Sequence, residues 1–99
     1  MALTLGLLAT LTAKPGKEQD LAGFLEQGQA LAASEEGTRT WYAFRIDEST
    51  FGIFDTFEDE DGRQAHLNGE IPKALGQVGP DLLATDPDIK PIDIIATTS

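Results

Sequence analysis

The chain contains no cysteine. That excludes disulfides, thiolate metal sites and cysteine nucleophiles, and it suits a cytoplasmic protein. Basic residues are scarce as well: 7 Lys and Arg stand against 17 Asp and Glu, a formal net charge of −10. Phosphate backbones and anionic membrane surfaces repel such a chain, and no cluster of Lys or Arg offsets the repulsion. Neither a nucleic acid nor a membrane is an expected partner. Also missing are a glycine-rich phosphate loop, a Gly-x-Ser-x-Gly elbow and a His-Glu-x-x-His pair, so any chemistry runs without a nucleotide motif. The acidic run Asp55, Glu58, Asp59, Glu60 and Asp61 lacks the ligand spacing of a calcium loop, and helix-start chemistry accounts for most of it. No metal and no cofactor are expected.

What is present reads as one domain over residues 1–99. A chain of that length buries roughly 65% of the surface it exposes when unfolded. Met1 to Ala13 carries no charge, but a signal peptide would place a basic segment ahead of its apolar stretch, and the first cation here, Lys14, comes after it. Thirteen residues are also too few to cross a bilayer as a helix. Leu3, Leu5, Leu7, Ala9, Leu11 and Ala13 alternate with Thr4, Gly6, Leu8, Thr10 and Thr12, which predicts a strand.

Pro15-Gly16 ends that strand. Leu21, Phe24, Leu25, Gly28, Leu31 and Ala32 then recur at helical spacing and predict a helix from Lys17 to about Ser34, with Gly37 just past its stop. Arg39 to Asp47 and Thr50 to Phe57, rich in aromatic and β-branched residues, predict a hairpin around Asp47-Glu48-Ser49. Asp59 is a candidate N-cap for a second helix that breaks at Gly69, resumes over Ile71 to Gln77 and adds a turn from Pro80 through Leu83. Ile89 to Thr97 reads as the last strand.

The order β-α-β-β-α-β is an α+β, ferredoxin-like arrangement, with right-handed crossovers placing the helices on one face of an antiparallel sheet. The other sheet face is left apolar. Leu8 lies on it, strand two offers Trp41 and Ala43 on one side and Tyr42 and Phe44 on the other, and Phe54 stands opposite Ile53. A homodimer packed sheet to sheet would cover that face.

His66 is the only histidine. Its ordinary pKa near about 6.5 suits an acid, a base or a ligand, while the plainer reading is a helix histidine bonded to a carbonyl or water. Strand alternation turns Asp55 to the same side as Phe51, Ile53 and Phe57. An inward carboxylate needs a partner, which His66, Arg45 or Arg63 could supply. Trp41, Tyr42 and Phe44 either line an aromatic pocket or form plain core.

Thr50-Phe51-Gly52-Ile53-Phe54-Asp55-Thr56-Phe57-Glu58-Asp59, followed by Gly62-Arg63-Gln64-Ala65-His66-Leu67, resembles the antibiotic biosynthesis monooxygenase family of dimeric α/β-barrel proteins. The resemblance covers essentially the whole chain. Asp55, Phe57 and His66 match the family's acidic residue, aromatic residue and helix histidine in order. It implies a homodimer and a cofactor-free oxygenase of a small aromatic or quinol. His66 would be the base, Asp55 would fix its tautomer, and Trp41, Tyr42, Arg45 and Phe57 would be the substrate-binding residues. Phe57 stands where tryptophan is typical, and the first strand has no asparagine; both departures argue against a haem-degrading enzyme. The alternative is a non-catalytic homodimer of the same fold that binds a small ligand or serves structurally.

Overall fold

The computed structural model describes residues 4–98. Its elements are β1 (Leu5–Thr12), α1 (Glu18–Ala33), β2 (Thr38–Arg45), β3 (Thr50–Phe57), α2 (Glu60–Leu67), α3 (Glu70–Leu82) and β4 (Asp88–Asp93). The four strands form one sheet in the order β2-β3-β1-β4, and each neighbouring pair is antiparallel. This is the expected ferredoxin-like topology, with the helices on one face. The second crossover holds two helices instead of one. Leu3, which the alternation places at the start of β1, lies outside the described residues.

Alternation along β1 sends Leu7, Ala9 and Leu11 toward the helices, where they are buried with Phe51 and Ile53 of β3, Leu21 and Leu25 of α1, and Leu75 of α3. The α1 residues that reach this core, Leu21, Leu25, Gly28 and Ala32, lie one helical turn apart in succession. Leu31, read as part of that stripe, is on the exposed flank instead. The stripe is therefore narrower than the spacing of apolar residues implies.

Three boundaries differ from the expectation. Strand two stops at Arg45 because the Asp47 side chain turns the backbone, accepting from the Ser49 N–H at 3.1 Å and the Thr50 N–H at 2.8 Å. Pro80 lies inside α3 and does not start a new turn. It forgoes one backbone bond near the helix end, and the helix closes beyond it with the Leu83 N–H donating to Gly79 O at 2.8 Å. The last strand is shorter than Ile89 to Thr97: its ladder with β1 ends at Leu5↔Asp93, and Ile95 is 99% exposed. One further backbone bond, from the Ile94 N–H to Thr4 O at 2.8 Å, follows the ladder.

On the face away from the helices, the register aligns Tyr42, Phe54 and Leu8 across β2, β3 and β1. Beside them the Phe44 ring lies over Gly52, where a β-carbon would come within 2.5 Å of the ring. Tyr42 and Phe44 are exposed.

Leu11 has 0% exposure at the centre of the helix-facing layer. Leu11→Ala is expected to lower unfolding free energy by about 2–5 kcal/mol in a urea titration. A loss well under about 1 kcal/mol would show that this layer is not the core.

Candidate functional site

The Asp59 side chain caps α2, accepting the Gly62 N–H at 2.8 Å from an extended backbone. The first turn of α2 then meets the α1–β2 connection at Gly37. A β-carbon on Gly37 would lie 2.6 Å from the Gly62 Cα, and one on Gly62 would lie 2.9 Å from the Gly37 carbonyl oxygen. Only a glycine pair permits this approach. One turn further along α2, it places His66 against Glu35, which belongs to the same connection.

His66 is held from both sides. Its Nδ1 is 2.7 Å from Glu35 Oε1, an oxygen that also accepts from the Thr38 hydroxyl at 2.7 Å. Its Nε2 is 3.0 Å from Asp55 Oδ2. The second contact lies off the N–H direction, since Asp55 Oδ2 has no aligned hydrogen bond, and it is an ion pair when the imidazole is protonated. Asp55 is 1% exposed and His66 7%, and the Phe57 ring leans on the imidazole with centroids 5.3 Å apart. Burial works against a charged imidazole here. The hydrogen bonds and charges of Asp55 and Glu35 outweigh it, and the His66 pKa is raised. A doubly protonated ring satisfies both carboxylates, whereas either neutral tautomer turns a lone pair toward one of them. Neither nitrogen is open to take a proton from a ligand. The space beside the pair, between α3 and the sheet, is about 30 Å³, the size of one water molecule.

The residues expected to bind substrate lie elsewhere. Trp41, Tyr42 and Arg45 line a cleft of about 490 Å³ between α1 and β2. Trp41 and Arg45 reach it from the helix-facing side of the strand and Tyr42 from its rim. Leu25 and Glu26 of α1 form the facing wall. Phe57 does not reach the cleft: it has 0% exposure, packed behind the imidazole. The Arg45 guanidinium lies over the Phe51 ring at 4.7 Å, and among the described residues it makes no ion pair. The Trp41 indole nitrogen is buried without a hydrogen-bond partner.

Asp55 and His66 are thus brought to each other but not to the cleft. The nearest link is Trp41, which pairs directly with Asp55 across β2 and β3. Sequence reasoning missed Glu35 and Glu26. Glu35 is a loop acid with no periodic signal, and Glu26 falls on the polar side of α1, where a solvated residue is the default. A third space of about 640 Å³ lies outside His66 and is walled by Glu35, Glu36, Glu58, Asp59, Asp61 and Glu70. Among the described residues no three His, Asp or Glu side chains are placed to hold a metal ion. No helix among them is long and apolar enough to cross a membrane.

No protein-family model matches the chain, and no curated protein matches it either. Solved structures do. The NE2512 protein of unknown function from Nitrosomonas europaea is 45% identical with a TM-score of 0.95, over 98% of this chain and 94% of that one. PA3566 from Pseudomonas aeruginosa is 26% identical with a TM-score of 0.81, over 97% of this chain and 98% of that one. A structure named as an antibiotic biosynthesis monooxygenase has a TM-score of 0.80 at 15% identity, over 93% of this chain and 99% of that one. The fold that the sequence resemblance implies is therefore the fold of this chain.

A histidine whose pKa rises on folding contributes its full stabilisation below its unfolded value of about 6.5 and loses it as pH climbs through the folded value. The melting temperature is expected to fall as pH rises from about 6 past the raised value. His66→Gln should melt lower at pH 6 and show no such fall. Equal pH profiles for the two proteins would mean that the charged form is not what the carboxylates hold.

Proposed function

From two premises, that the chain belongs to the family of the Nitrosomonas europaea NE2512 protein and that it has the fold of the antibiotic biosynthesis monooxygenases, we propose a monooxygenase-like function. The protein would act as a homodimer, each copy one domain over residues 1–99, without a cofactor, in the reducing cytoplasm to which a cysteine-free chain is suited. The substrate is a small aromatic or quinol held between α1 and β2. The observation that carries this reading is the cleft itself: its volume of about 490 Å³ and its walls of indole, phenyl and guanidinium suit a flat ring with a polar edge.

The residues divide into two groups. Arg45 stands ready to stabilise a ring oxygen as it ionises, and Glu26, the one carboxyl lining the cleft, is placed to take the proton. An anthrone anion formed this way gives one electron to dioxygen and combines with the resulting superoxide. The peroxide then loses water to leave the quinone, so anthrone and O₂ yield anthraquinone and water. His66 and Asp55 serve as positioning residues, because both imidazole nitrogens already face carboxylates. They fix β3 and, through the Trp41↔Asp55 pair, the strand that carries the cleft residues. That closure of His66 also favours the second reading, a non-catalytic homodimer that binds its ligand without turning it over.

An oxygen electrode with anthrone or a hydroquinone, and no added metal or flavin, separates the two. Uptake above the buffer rate is expected, and Glu26→Gln should lower it by about 10²–10⁴-fold. Saturable ligand binding with no enzyme-dependent uptake would establish the non-catalytic reading.

The homodimer rests on the row Tyr42, Phe54 and Leu8 on the sheet face away from the helices, of which Tyr42 is exposed and Phe54 and Leu8 are half-buried. Sedimentation should show a dimer at micromolar concentration, with an interface near the usual ~1,600 Å². Leu8→Glu should give a folded monomer, since it sets a charge in the middle of the covered face. A wild-type monomer would remove the assembly from this reading.

A further inference from the structure

We propose that the ligand of the α1–β2 cleft is an anionic aromatic, a planar ring system carrying one carboxylate or ionised phenol, with its anion seated on Arg45. The proposal rests on the cleft being the binding site. In a chain with 17 acidic and 7 basic side chains, most cations find a carboxylate or carbonyl partner. Lys17, Arg63 and Lys90 pair with acids, and Lys14 donates to the Pro80 carbonyl.

Arg45 is placed differently. Its guanidinium carbon lies 4.7 Å from the centre of the Phe51 ring, and among the described residues no acid pairs with its donors. Glu26 lines the same cleft but does not reach ion-pair distance. The cleft wall also includes Ala22, Leu25, Trp41 and Ala43, which present mostly carbon. An unpaired guanidinium in an aromatic-walled cleft matches a ring with an anion at its rim, which it can receive in two parallel hydrogen bonds.

The global charge sharpens this inference. A net charge of −10 disfavours anions over the surface as a whole. A preference for the charged form of a ligand over its neutral isostere can therefore arise only locally, and Arg45 is the only cation lining the cleft.

Trp41 is the single tryptophan and lines the cleft, so its fluorescence reports occupancy. The probes are 2-naphthoate and the neutral 2-naphthamide, titrated at constant ionic strength. Naphthoate is expected to quench saturably and to bind roughly tenfold or more tighter than the amide, the scale of one charge-assisted contact. Arg45→Gln should abolish the preference, weakening naphthoate far more than the amide, while Arg45→Lys should retain part of it. Circular dichroism would confirm that the variants are folded.

Equal binding of the two probes to the wild type would overturn the anionic class and leave the cleft standing as the binding site. A preference that survives in Arg45→Gln would overturn the assignment to Arg45. Saturable quenching by neither probe would overturn the cleft reading itself, and this proposal with it.

Discussion

One buried histidine holds this fold's second half in place. Asp55 of β3 and Glu35 of the α1–β2 connection both face inward, and the only positive group between them is the imidazole of His66 from α2. Three separate elements therefore meet at one ring. A proton on that ring sets a positive charge beside the buried Asp55 and the half-buried Glu35, and these two acids raise the His66 pKa against the cost of burial. The glycine contact between residues 37 and 62 is what lets α2 approach closely enough for the ring to reach both acids. The Asp59 cap starts the helix at the phase that points His66 inward. Local chemistry and long-range packing thus converge on one ion triplet.

The same reasoning explains why the expected catalytic pair and the expected binding residues separate. An imidazole pinned between two acids is rigid and its pKa is raised, which suits holding strands together and does not suit accepting a proton from a bound ring. The space for a ligand opens on the other side of Trp41, where α1 and the edge strand β2 diverge. Strand β2 carries useful side chains on both faces: Trp41 and Arg45 toward the helices, Tyr42 and Phe44 toward the open side of the sheet. Edge position and two-sided character go together, because an edge strand is not fully covered by either layer.

Much of the architecture was legible because it depends on period. The alternation in β1 and β3 identified the helix-facing residues and turned Asp55 inward, and the Asp59 cap and the Gly69 break follow from local chemistry. Asp55's need of a partner could be read from the strand, and its three candidates included the residue that fills the role. Glu35 could not be read, since its place depends on two glycines 25 positions apart touching, a contact with no signature in either local sequence. The length of β4 failed for a related reason: strand propensity lies in the segment, but the partner that ends the ladder lies in β1. Phe57 was legible as inward-facing but not as sealed behind a ring from another element.

Among the described residues, two buried side-chain polar atoms lack an aligned partner, the Trp41 indole nitrogen and Asp55 Oδ2. Native structures keep few such atoms, and each calls for a physical reason. These two belong to residues directly paired across β2 and β3, one a donor and the other an acceptor, at the point where the ion triplet adjoins the cleft. Asp55 is drawn toward His66 on one side, and Trp41 is packed over Gly28 of α1 on the other, where a β-carbon would already lie 3.4 Å from the indole ring. Each residue is fixed by a stronger neighbour, the charge for Asp55 and the helix for Trp41. The two atoms thus lie where two requirements meet, that Asp55 face the imidazole from α2 and that an indole wall be set against α1.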